Sequence, residues 1–563
     1  MGAVNSCLPC PRGSLWNRRV SILAHVAAYF VLALIATGSF GFAVGWWDHN
    51  ENMYVSAAVL LLKGKRLYTD FAYFQAPYLP YLYAAVLSAT SPGHYLLLLR
   101  ITTWILWLIA CGLLFQSARA ITLDVRMSLA AAAFFAENRF TLRILVESSN
   151  YVLPLTLHLA AVYFLLVALD RHRPANGWLL FSAGVAAGLS VGSKLYYAAM
   201  IPPLLVGAST LRWTHAPTHR LRRHLLLIAG GFALALIPAG ISAYRNISAA
   251  VFDNVGFHHM MSAEATLTGL PRTSFNQKVH WLADQAIRTP SNLLLIALLL
   301  LSAILLFERD PRRQPRATPN SLPVRTPAGP SCILALATVA GSLVCGSAVV
   351  LYMTPLFPQY VALLIPYALL LLCILYRLST PAARHHLLVA TVVSVLLCLH
   401  GSGILGALST AIHMTHWVPV CLARDAQVIR ASLEPGGTAG PIATLEPIFA
   451  LEAGLPIYDE LATGVFGYQV AHNLSSSDRR RLHLLSRYAL DEAFRARPPA
   501  AILLTNYPES LQGPLRRYAT DNGYHLLPLV DALDLYVQGA PVGRALAAAT
   551  PERPVDRCRK DRE

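Results

Sequence analysis

The sequence predicts an α-helical, polytopic membrane protein of about eleven spans followed by a small α/β domain. Three observations carry that prediction. Apolar and aromatic residues make up 55% of the chain and charged residues only 13%, about half of the roughly 25% usual in soluble domains. Mean hydropathy is +0.49. The apolar runs stop near residue 414, and the last 150 or so residues return to a mixed composition. Together these exclude a disordered chain, a coiled coil and a series of soluble domains.

Taken in order, residues 1–20 form a short basic tail. Residues 21–46 are apolar apart from His25. That run is too long for a signal-peptide core and no small-residue cleavage site follows it, so it reads as a retained first span. Further apolar stretches fall near 95–117, 127–137, 151–169, 177–192, 195–210, 225–244, 290–307, 331–352, 359–376 and 387–409. The intervening loops divide by charge. Segments 1–20, 118–126, 170–177, 211–224, 308–330 and 377–386 carry 18 Lys and Arg in 84 residues. Their opposites at 47–94, 138–150, 193–194, 245–289 and 353–358 carry 10 in 114. Positive loops stay cytoplasmic, so the N-terminus is expected inside, and an odd span count exports the C-terminal part. The net charge of 45 − 29 = +16 is then a matter of topology, and no nucleic-acid partner is expected.

The membrane domain is therefore 21–414, with a first outer loop at 47–94, and residues 415–539 form an extracytoplasmic α/β domain. Helices are expected at 424–433 and 478–497, the second capped by Ser477. Short β-type runs lie at 441–444, 500–504, 525–530 and 533–537. Residues 540–563, rich in Arg, Pro and Asp, read as a disordered tail. Cys421 and Cys558 both fall on the exported side, where a disulfide is permitted.

Candidate chemistry gathers in the outer loops. Asp48 and Glu51 follow the first span at a spacing that puts both on one face of a continuing helical turn. Carboxylates at the water–lipid boundary are candidates for function, and burial would suit one of them to take a proton from a hydroxyl. His49 stands between them, with Tyr54, Tyr68 and Gln75 further along, as residues to position a sugar or acceptor. In the second outer loop Glu147 offers a third acid. Lys194 and Arg100 are cations at unusual depth; a phosphate would satisfy either, and snorkelling or an acid on a neighbouring helix would also do so. Asp48, His49 and Glu51 could also be read as metal ligands, but His258 and His259 are adjacent and their side chains diverge. A divalent metal is allowed and not favoured, and no other cofactor is implied.

The stretch Glu51, Tyr54, Gly64, Leu67, Tyr68, Asp70 and Pro77 resembles the first outer loop of the C-type glycosyltransferase superfamily, specifically bacterial proteins related to protein O-mannosyltransferases and aminoarabinose lipid A transferases. Residues 78–89 match that family's membrane-skimming helix, and Arg100 falls where relatives often have Arg. Position 50 departs from the family's Asp-Glu pair, being Asn50, with Asp48 two residues earlier. The resemblance implies an inverting transfer of a sugar from a polyprenyl-phosphate donor to a lipid, glycan or protein acceptor at the outer face of a bacterial inner membrane. Either Asp48 supplies the pair's missing carboxylate or Glu51 carries the role alone, and the family's second-loop acid has a loose counterpart in Glu147 or Asn150; the residues themselves then place the donor phosphate near Lys194 or another outer-face cation such as Arg100. A transporter or flippase for a lipid-linked or sugar substrate is the competing reading, since buried charges and interrupted spans also mark transporters. An inactive homologue is a third.

Overall fold

The computed structural model describes residues 13–146, 148–169, 176–210, 218–307, 330–433, 440–529 and 533–538. Six helices among them are long and apolar enough to cross a bilayer: Val26–Gly45, Tyr95–Thr122, Leu221–Tyr244, Cys332–Tyr352, Pro358–Leu378 and Pro381–Gly401. Phe275–Arg288 and Pro290–Leu306 make a seventh if taken as one span, bent by 88°. The bend falls at Pro290, whose nitrogen cannot continue the helical hydrogen-bond ladder.

The expected eleven segments are all helical, but four are short. Val125–Glu137 has 13 residues, Val152–Ala168 and Gly177–Ser193 have 17 each, and Ile201–Ser209 has 9 after a tight turn at Leu195–Met200. A perpendicular crossing needs about 20. The last expected span, 387–409, is divided in the structure. Pro381–Gly401 ends at Gly403, whose φ of 85° suits glycine, and Ile404–Ile412 follows as a separate helix.

Lipid offers no hydrophobic drive for helices to associate, so backbone approach matters more. Gly177–Ser193 packs on Thr218–Tyr244 so closely that a Cβ at Gly184 would lie 2.0 Å from the Ile228 carbonyl oxygen, and one at Gly188 would lie 2.6 Å from that of Phe232. This contact fixes the helix whose end carries Lys194.

The C-terminal unit contains a four-stranded sheet in the order β1-β2-β4-β3, from Ile442–Thr444 (β1), Ala501–Leu504 (β2), Tyr524–Pro528 (β3) and Asp534–Gln538 (β4). β1 runs parallel to β2, and β4 is antiparallel to both β2 and β3. Its first helix, Val418–Leu433, starts earlier than expected. The expected helix over 478–497 is broken into Ser476–Arg481 and Leu490–Ala496. Leu482, Leu484 and Leu485 between them are buried in the core, a placement one straight helix would not give. Ser475, not Ser477, is the cap, its hydroxyl accepting the Asp478 N–H at 3.1 Å. The helix Glu509–Asp521 was not expected, because Gly513 and Pro514 interrupt its pattern. Cys421 is disulfide-bonded; Cys558 and the 540–563 tail lie outside the described residues, as does most of the 1–20 tail.

This unit sits on the first loop of the membrane domain and shares a core with it. Glu452 accepts backbone N–H groups from Gly93, Tyr95 and Leu96 at 2.7, 3.2 and 2.6 Å. It thereby satisfies donors that the start of Tyr95–Thr122 leaves without helical partners. Lys65 pairs with Asp459, and Asn52 Oδ1 accepts the Ile448 N–H at 3.2 Å.

Candidate active site

The first helix ends at Gly45 and the next begins at Glu51. Asp48 makes the break: its Oδ1 accepts the Asn50 N–H at 2.8 Å, the local bond by which Asp competes with helix. The expected continuous helical turn is therefore absent, and the two acids take different positions. Asp48 is 16% exposed in its side chain and 3.7 Å from His49 Nδ1. It lies within electrostatic reach of Tyr507 of the C-terminal unit. His49 is half exposed, its ring centroid 5.6 Å from that of Phe466.

Glu51 is fully buried. Arg100 Nε donates to its Oε1 at 2.9 Å and Nη2 to its Oε2 at 2.6 Å, and the Ser148 N–H donates to Oε1 at 2.7 Å. Burial raises the Glu51 carboxyl, opposed by Arg100 and the Ser148 amide. The remaining Arg100 nitrogen donates to the Ala43 carbonyl at 2.9 Å. Of the two partners expected for Arg100, a phosphate and an acid on a neighbouring helix, the structure shows the acid: all three guanidinium nitrogens are on protein acceptors and none of its surface is exposed. It clasps the end of the first helix to the start of the next.

From Ser148 the chain continues to the second cation. Asn150 Nδ2 donates to the Ser193 carbonyl, and Tyr151 lies under Lys194, whose Nζ is 3.4 Å from the ring centroid. Tyr196 is 5.4 Å from the same ammonium and packs edge-on to Tyr360 at 6.2 Å. Lys194 is 4% exposed, so its aromatic neighbours offset part of its lost hydration. Glu147, in the same loop, lies outside the described residues. His258 accompanies Lys194; burial, with the ammonium adding to it, pushes the imidazole down to about 4, so it is neutral near pH 7.

The other expected residues mainly build the loop. Tyr68 is buried at φ 63°, and its hydroxyl donates to the Gln75 carbonyl at 2.6 Å. Tyr54 is buried edge-on to Tyr73 at 6.2 Å. Gln75 is partly exposed. Among the described residues no group of three or more His, Cys, Asp or Glu is arranged to hold a metal ion.

Asp253 was missed, because nothing in its own stretch marks it. It is 1% exposed, one oxygen accepting the Tyr73 N–H at 2.8 Å and the other without a hydrogen-bond partner among the described residues. Burial pushes its carboxyl up to about 8. An acid raised in the folded state contributes stability that is present below its unfolded pKa, near 4, and is lost as pH rises toward 8. The wild type is expected to lose thermal stability from pH 5 to pH 8, with a slope of up to about 1.4 kcal/mol per pH unit. Asp253→Asn should flatten that dependence and be the more stable form at pH 8. Unfolding midpoints at the two pH values check this; parallel curves would refute it.

The apolar helices define the class, an integral, multi-pass membrane protein, and its fold is shared with a solved membrane protein. The chain is similar to ArnT from Cupriavidus metallidurans. Against the crystal structure bound to undecaprenyl phosphate the TM-score is 0.62 at 12% identity, covering 91% of this chain and 97% of that one. Against the apo structure it is 0.59 at 12%, covering 92% and 98%. At this identity the likeness is one of fold. No protein-family model matches the sequence, and no curated protein matches it either.

Proposed function

We propose that this protein is a membrane glycosyltransferase. It moves a hexosyl or pentosyl group from a polyprenyl-phosphate donor to an acceptor hydroxyl on a lipid, glycan or protein, with inversion, at the outer face of a bacterial inner membrane. The N-terminus is then cytoplasmic and the C-terminal unit extracytoplasmic. The observation that carries the reading is the join between two charged centres. The loop that donates to Glu51 through Ser148 also holds Asn150 on Ser193, next to the buried ammonium of Lys194. The fold it shares with a protein crystallised with undecaprenyl phosphate supports the same donor.

In this scheme Asp48 takes the proton of the acceptor hydroxyl. The acceptor oxygen bonds to the anomeric carbon from the face opposite the phosphate. The carbon–oxygen bond to phosphate breaks with its electron pair going to the phosphate, whose charge Lys194 balances. Glu51 and Arg100 hold the turn that aims Asp48 and do not touch substrate. Glu147 would assist with the acceptor. His49 and Gln75, both partly exposed, contact the sugar, while Tyr54 and Tyr68 shape the loop beneath it.

The test is release of free polyprenyl phosphate by the lipid-reconstituted protein, given a panel of polyprenyl-phosphate sugars and cell-envelope extract. Asp48→Asn should lower the rate by about 10²–10⁴-fold, the usual contribution of a general base. A variant as fast as wild type would remove Asp48 from the mechanism. No release from any donor, with lipid still bound, would leave transport as the reading.

A further inference from the structure

The C-terminal unit carries a cavity of about 590 Å³ between the segment ending at Tyr488 and the start of Glu509–Asp521, a volume within the range of small-molecule sites. Tyr488 is 74% exposed and stands at its edge. The guanidinium carbon of Arg487 lies 5.2 Å from the Tyr488 ring centroid, and its buried Nε has no hydrogen-bond partner among the described residues. The buried hydroxyl of Tyr468 also lacks one, and it lies within electrostatic reach of Arg487 and Arg517. Arg517 lines the cavity.

The opposite wall offers acceptors. Pro514 has no N–H to give to the Ser510 carbonyl one turn back, and Ser510 and Pro514 both line the cavity. Glu509 adds a mostly exposed carboxylate, 3.6 Å from Arg516. An accessible ring, an arginine whose Nε lacks a partner among the described residues, a carbonyl without its helical N–H from residue 514 and two arginines to one acid match a sugar ring bearing a negative charge. A series of side-chain contacts runs from the cavity edge toward the candidate active site. Tyr488 packs against His472 at 6.0 Å, and His472 lies 3.9 Å from Glu264, on the helix Phe257–Leu267 whose first turn carries His258 beside Lys194.

We infer that this cavity binds an anionic saccharide, the charged part of the acceptor, through Tyr488, Arg487 and Arg517. The acceptor role rests on the transferase reading; the binding site does not. Saturation-transfer difference NMR on the full chain in nanodiscs tests it, with glucuronic acid and glucose 6-phosphate as probes and glucose and inorganic phosphate as comparisons. Both charged sugars should bind, and Tyr488→Ala and Arg517→Gln should each weaken binding by about tenfold, the loss expected for one charge-assisted contact. Unfolding midpoints for both variants should match wild type, since each change lies at the cavity rim. Equal binding by wild type and variants would overturn the site, as would no binding by wild type. Binding of inorganic phosphate as strong as that of the sugars, and insensitive to Tyr488→Ala, would overturn the saccharide assignment. Donor cleavage measured separately on wild type reports on the transferase reading, so the two fail independently.

Discussion

Arg100→Met is expected to cost about 3–5 kcal/mol of stability, the range seen when one partner of a buried ion pair is removed. Glu51 would then remain fully buried with the Ser148 amide as its one remaining donor among those described, and the Ala43 carbonyl would lose the Arg100 donor. The double variant Glu51→Leu with Arg100→Met should recover most of the loss, because no charge is stranded and the replacement is apolar. It would retain a deficit of about 1 kcal/mol for the Ser148 N–H left without its acceptor. Unfolding midpoints of the detergent-solubilised protein distinguish these outcomes. A single variant as stable as wild type would mean the clasp is incidental. Activity should not return in the double variant, because the turn that aims Asp48 would no longer be tied to Tyr95–Thr122.

That pairing was half legible in the sequence. A guanidinium in an apolar run demands an anion, and an acid on a neighbouring helix was one of the partners considered for Arg100. What the sequence hid was that one acid would satisfy it so completely, with two of the guanidinium nitrogens on Glu51 and the third on the Ala43 carbonyl. The apolar runs were readable because a bilayer imposes a length and a composition on each segment. Their ends were less so: Gly403 turns the chain inside a run of apolar residues, and Gly184 and Gly188 matter through what faces them from another helix. In the C-terminal unit the four strands were visible from their β-type residues. The 478–497 helix was misjudged because tertiary burial of Leu482, Leu484 and Leu485 outweighs local helix preference.

The docking of the C-terminal unit left almost no local mark. Glu452 closes the start of Tyr95–Thr122 from more than 350 residues away, and Asp459 forms an ion pair with Lys65 from as far. A carboxylate that caps a distant helix looks, in its own stretch, like any other acid. The consequence is functional. Tyr507 lies within electrostatic reach of Asp48, so under the proposed mechanism the surface an acceptor would meet belongs to both parts of the chain.

Lys194→Gln is expected to lower kcat/KM for donor cleavage by about 10²–10³-fold, the loss typical when a preorganised electrostatic contact to developing charge is removed. The ammonium is held by geometry that leaves little freedom: its residue ends a helix locked to Thr218–Tyr244 by glycine contacts, and Tyr151 lies 3.4 Å beneath it. A charge so placed can act on the leaving phosphate without reorganising, and in a site of low polarity it acts with little screening. Glutamine keeps the approximate length and can still lie on Tyr151, so folding should be nearly unaffected. Lys194→Arg separates point charge from fork: the guanidinium can stack on Tyr151 but its plane restricts where its donors aim, so activity should return only in part. If the lysine merely anchors the loop through its cation–π contact, the pattern inverts. Stability would then fall in Lys194→Gln, Lys194→Arg would restore it, and kcat/KM per folded molecule would not change. Measuring the rate and the unfolding midpoint on the same preparations decides between a cation that holds phosphate and one that holds the fold.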